Sequence, residues 1–181
     1  MAVAVAVRNN SFAMIICANI LLALASLIKV PLPFSPVPIV VQLQICLMLP
    51  LIIGSRAAFL SVALLIGEAA CGLPVLASGI TGLGVFMGPT TGYLLGYLAS
   101  AYVVKFAFDY FKNKSVHASF ISMALGNLLV YGFGVIHLAQ FVGFGKAILI
   151  GVVPFFLLDF VKLVLATKLL TRYGLDSICL D

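Results

Sequence analysis

The sequence predicts an all-α integral membrane protein of six transmembrane helices, with both termini inside and irregular outward loops forming a ligand pocket. Three observations carry that expectation. The first is composition: of 181 residues, 64% are hydrophobic and 8% charged, with a mean hydropathy of +1.29, where soluble domains carry about 25% charged residues. In water such a surface would expose apolar patches large enough to aggregate, so the solvent that suits it is a bilayer. The second is a set of six apolar runs, at 11–28, 37–53, 57–70, 92–108, 117–139 and 147–170, each near the ~20 residues a spanning helix needs. The third is the placement of basic residues. With the N-terminus inside, Arg8, Arg56, Lys105, Lys112, Lys114, Lys168 and Arg172 fall on the inner side, Lys29 and Lys146 outside, and Lys162 within the last run. The positive-inside rule then fixes an N-in, C-in orientation. The net charge of +5 is thus a topology signal and calls for no nucleic acid. A single membrane domain over 1–181 is expected.

The first run follows MAVAVAVRNN, whose Arg8 comes after the first apolar residues. It reads as a first transmembrane helix and not as a signal peptide. KVPLPFSPVP (29–38) follows, with prolines at 31, 33, 36 and 38; each lacks an N–H and restrains its predecessor, so helix is denied there. The second run ends in the turn Gly54-Ser55-Arg56. The third is short unless it extends into 71–76.

Next comes the outward segment 71–91, with GITGLGVFMGPTTGY beginning at Gly79: Gly79, Gly82, Gly84, Gly88 and Gly92, and no charge. Irregular backbone at membrane depth is tolerated only where protein buries it or it lines a cavity. The proline-rich and glycine-rich segments are therefore expected to cap and wall a pocket open to the outside. A basic stretch, 109–115, joins the fourth and fifth runs, and QFVGFGK (140–146) the fifth and sixth. The glycine-rich stretch has no counterpart in the second half, which argues against a transporter built from two related halves.

Ionisable groups inside a membrane cost a few kcal/mol each, so each asks for a partner or a task. Asp159 and Lys162, in VPFFLLDFVK, are the clear cases. At i, i+3 they share a helix face and either neutralise each other or face a cavity where both meet a ligand. Glu68 either reaches the interface or contributes to a pocket mouth. Gln42, Gln44 and Asn127 are amides suited to bonds between helices, with ligand contact a second reading, strongest for Gln42. His137 sits near an outer helix end.

Enzyme signatures fail. FVGFGKA has Gln140 where a phosphate loop needs its first glycine and Ala147 where it needs Ser or Thr. One deep carboxylate supplies paired acid/base chemistry poorly, and H-E-x-x-H and G-x-S-x-G are missing. The cysteines (Cys17, Cys46, Cys71, Cys179) are scattered without metal or disulfide spacing and are expected to be small buried apolar residues.

Four stretches together resemble the BioY family, the biotin-binding S component of energy-coupling factor (ECF) transporters: PLPFSPVPIVVQ (31–42), GLPVLASGITGLGVFMGPTTGYLLGY (72–97), GNLLVYGFGVIHL (126–138) and VPFFLLDFVKLVLA (153–166). They span nearly the whole chain in order; the second, with the later Asp-x-x-Lys, is the specific part. His137 stands where the family pattern has Trp, Leu76 where Phe is common, and Ala13 is followed at i+4 by Cys17 in place of a second alanine.

The resemblance implies biotin capture at the outer face of the bacterial cytoplasmic membrane, with uptake driven by a transmembrane coupling subunit and two ATPase subunits or, in some organisms, by the S component alone. No cofactor is implied; biotin is the substrate. On that reading Asp159 accepts ureido N–H groups, and Lys162 faces the ureido carbonyl or the carboxylate. Gly79, Gly82, Gly84 and Gly88 bring backbone N–H groups close, with an anion-binding nest suited to the carboxylate. Thr90 and Gln42 join the site, and Tyr93, Phe86 and Met87 line its apolar part. An S component for riboflavin, thiamine or pantothenate is the alternative within the class, although the Gly-Pro-Thr-x-Gly-Tyr run speaks against it. A small intramembrane enzyme or a structural membrane protein is the alternative outside it.

Overall fold

The computed structural model describes residues 11–33, 35–112 and 115–173. Arg8, Lys114 and Cys179, the 1–10 segment weighed as a leader, and the residue at 34 within the proline-rich motif lie outside them.

Helix α1 spans Ser11–Ser26 and buries Ala18, Asn19, Leu22 and Ala25. The proline-rich segment then does what its missing N–H groups permit. It forms no helix but a two-stranded antiparallel hairpin, β1 (Lys29–Val30) and β2 (Ile39–Val40), with Lys29 opposite Val40. These strands were not expected in an all-helical chain; here they make a strap across one end of the bundle.

Helices α2 (Gln42–Ile53) and α3 (Ser55–Ala70) meet at a single residue, Gly54, whose φ of 84° a side chain would resist. A short turn, α4 (Gly84–Met87), sits inside the glycine-rich segment, and α5 (Thr91–Tyr110) and α6 (Val116–Val142) form the longest pair. Ser115 caps α6, its hydroxyl accepting from the Ala118 amide at 3.4 Å. The connection expected over 140–146 shrinks to Gly143 (φ 82°), and the sixth run proves to be two helices, α7 (Phe144–Gly151) and α8 (Val153–Arg172). The break has a cause at Pro154, which has no N–H to continue α7 but suits the first turn of α8.

Small residues let α5 and α6 approach closely. Gly92 and Gly96 lie one turn apart, and a Cβ at Gly92 would collide with the Phe133 carbonyl, one at Gly96 with the Val130 backbone at 2.8 Å. Such small-x3-small faces bring helices together where lipid removes the hydrophobic drive to associate. On α3, Ser61 donates to Ile15 O of α1 at 3.2 Å, and Asn19 of α1 donates to Glu68 at 3.2 Å. Glu68 is half-buried, and an inter-helix bond holds it. Cys46 is buried, but Cys17 and Cys71 are exposed, against the expectation of burial. Exposed Leu157, Phe160 and Val161 on α8 and Ile136 on α6 are the side chains a bilayer would cover.

The two ends of the bundle differ. Ser11, Ile53, Arg56 and Lys105 share one cleft at the first end. At the other end Lys29 reaches Ala77, Ser35 reaches Ile150, and the His137 ring lies 3.1 Å from Gly88 O.

Candidate functional site

The site lies beneath the hairpin. Its base is the pair on α8: Lys162 Nζ donates to Asp159 Oδ1 at 2.8 Å, and Tyr131 of α6 donates its hydroxyl to Asp159 Oδ2 at 2.6 Å. Asp159 is 2% exposed, a placement only close partners make tolerable. Lys162 also donates to Val40 O of β2 at 3.0 Å, tying the strap to the pair. Gln44 of α2 donates to the Asp159 backbone carbonyl at 3.4 Å. The charges are thus paired, as one reading of the Asp-x-x-Lys spacing expects, and Asp159 also lines a cavity.

That cavity is a narrow cleft walled by Val37, Val40, Tyr93, Tyr97, Tyr131, Phe155 and Asp159. It shares Val37, Pro38, Val40, Tyr93 and Tyr97 with a second narrow cleft, which adds Gln42, Leu76, Ala77, Ser78, Thr90 and Leu94. The combined wall is mostly aromatic and aliphatic with a few fixed polar atoms, the usual make-up of a small-molecule site. Tyr93 is locked in place. Its hydroxyl donates to Gly151 O at 3.0 Å, and its ring packs on Gly134, where a Cβ would strike it. A carboxylate has about four lone-pair sites and an ammonium three donors. Asp159 therefore keeps acceptor capacity after its two bonds, and Lys162 one N–H after its two. The pair can receive one further partner that offers both N–H donors and a carbonyl.

Of the residues singled out in the sequence, Asp159 and Tyr93 line the first cleft and Gln42, Thr90 and Tyr93 the second, while Lys162 lines neither and joins them through Asp159 and Val40. Gln42 also fills the inter-helix role weighed for it, donating to Leu22 O at 3.1 Å. The four glycines do not line the two clefts. Their amides are largely spent at home: Gly79 on Leu76 O, Gly82 on Ala69 O and Gly88 on Gly84 O, at 3.0, 2.8 and 2.9 Å, while Gly84 opens α4. A nest needs successive unengaged amides, so the segment instead carries Ala77, Ser78 and Thr90 into the wall. Phe86 and Met87, 54% and 74% exposed, face away. Sequence reading missed Tyr131, Tyr97, Phe155 and the hairpin residues Val37 and Val40. Tyr97 was within reach, one turn from Tyr93 on the same face.

With this geometry in hand, the chain was compared with known proteins. The BioY family model matches residues 1–175. Among characterised relatives, the biotin transporter BioY of Rhizobium etli is 33% identical over 84% of this chain and 86% of its own length. The biotin transporter BioY of Thermotoga maritima is 32% identical over 79% and 84%. The crystal structure of an S component for biotin from an ECF-type ABC transporter superposes with a TM-score of 0.82 at 23% identity, covering 91% of this chain and 90% of that one. The fold is that of an integral membrane protein.

Proposed function

The chain belongs to the BioY family, and we propose that it captures biotin as the substrate-binding component of an ECF-type transporter. Its role is transport, and it is not an enzyme. The observation that carries the reading is the buried Asp159–Lys162–Tyr131 group roofed by Val40. Biotin presents a ureido ring with two N–H donors and a carbonyl, an apolar thiophane and an acidic tail. The ureido N–H groups suit the remaining acceptor sites of Asp159, and its carbonyl suits the remaining N–H of Lys162. The thiophane fits among Tyr93, Tyr97 and Phe155, and the tail runs toward Gln42 and Thr90. The spans are those of the helices, with both termini inside and the hairpin end outside, in the cytoplasmic membrane. The coupling subunit and two ATPase subunits supply the energy that this chain, with no phosphate loop, does not.

The test is biotin titration of the purified chain in detergent. Tight binding is expected, with Asp159→Asn and Lys162→Ala each weakening it by at least about tenfold, the value of a charge-assisted hydrogen bond. Unchanged affinity in both variants sinks the assignment.

A further inference from the structure

We propose that Lys29, on the first strand of the hairpin, is the counter-ion for the anionic end of the bound ligand. The inference rests on the transport reading above and adds where the acid terminus goes. Lys29 stands opposite Val40 in the hairpin, and Val40 O is the atom that Lys162 holds. Two ammonium groups therefore bracket one strand pair. They differ in compensation. Asp159 cancels the charge of Lys162, whereas Nζ of Lys29 meets the Ala77 carbonyl at 2.9 Å and, among the described residues, no carboxylate within 4.0 Å. Glu68, near the same end, is engaged by Asn19.

The run of clefts from Lys29 to Asp159 is continuous in its walls. Lys29, Pro31 and Ser35 line a third cleft, which shares Pro38, Ala77 and Ser78 with the middle cleft. The middle cleft in turn shares Tyr93 and Val40 with the deep one that holds Asp159. Along this run the chemistry passes from a compensated ion pair, through apolar walls, to a single uncompensated cation with two N–H donors still to place. A neutral polar head, an apolar middle and an anionic tail match it in that order. The reverse orientation would set the anion beside Asp159 and leave Lys29 unanswered.

The experiment compares biotin with its uncharged carboxamide on the full chain in detergent, for wild type, Lys29→Met and Lys29→Arg. Lys29 is exposed, so wild type is expected to prefer the acid by about two- to fivefold, the range of a solvent-exposed ion pair. Lys29→Met binds acid and amide alike, close to the wild-type affinity for the amide, which also reports that the variant is folded. Lys29→Arg keeps the preference. If Lys29→Met weakens both ligands by the same factor, Lys29 is only a latch on Ala77 and the proposal falls. It falls equally if the preference survives in Lys29→Met, or if wild type shows none. Wild type that binds neither ligand overturns the transport reading itself, and this proposal with it.

Discussion

Asp159 and Lys162 do two jobs that mutation can separate. As a pair they make a buried charge tolerable; as the proposed site they would offer their remaining acceptor and donor to biotin. Lys162→Met strands a carboxylate that is 2% exposed. Breaking a buried pair costs about 3–5 kcal/mol, and the lower end is expected because the Lys162 side chain is 21% exposed. Adding Asp159→Asn removes the stranded charge and should restore most of the lost thermal stability in detergent while biotin binding stays lost. A double variant no more stable than Lys162→Met would mean the carboxylate is not what the lysine protects. This pair was legible in the sequence because two charges three residues apart stand out in an apolar run, where each is costly alone. Tyr131 and Glu68 were not. A tyrosine in an apolar helix reads as core, and the partner of Glu68, Asn19, is 49 residues away in the chain, a distance no local pattern spans.

At the scale of elements, the α5–α6 pair is the frame on which the site hangs. α5 carries Tyr93 and Tyr97, α6 carries Tyr131, and the approach of the two helices is set by Gly92 and Gly96. Gly92→Ala places a methyl against the Phe133 carbonyl and the His137 side chain, and backbone cannot give way as a flexible side chain can. Overpacking of this kind costs about 1–3 kcal/mol, to be seen as a lower unfolding temperature and weaker biotin binding together. Gly132→Ala is the control, since a Cβ there meets nothing within 4 Å. Equal behaviour of the two variants would refute the packing role. Hydropathy found the helices and the break within 140–146, but not the one inside the sixth run. That break at Pro154 turns on one residue's backbone, which a hydropathy average over about twenty residues erases. The hairpin was hidden differently: prolines announce the absence of helix, while the two residues that pair in each strand carry no signal above their surroundings.

For the whole molecule, the coordinates define two ends and the charges say which faces the cytoplasm. Arg56 and Lys105 share a cleft with Ser11 and Ile53, and α5 and α8 finish at the same end, near Lys112 and Lys168. The hairpin end has Lys29 and, at the start of α7, Lys146. Basic residues near span ends resist translocation, so on the proposed reading the first end lies inside and the cleft opens outward. Single cysteines in a background with all four native cysteines replaced test this directly. At Lys146 a cysteine should react with a membrane-impermeant maleimide in intact cells; at Arg56 or Lys112 it should react only after permeabilisation. The opposite pattern would turn the cleft toward the cytoplasm, where capture of biotin from outside is impossible, and would overturn the direction of transport. The same residues would then have to release substrate instead of receiving it, so the orientation decides whether the Asp159–Lys162 cleft is the entry end of the path.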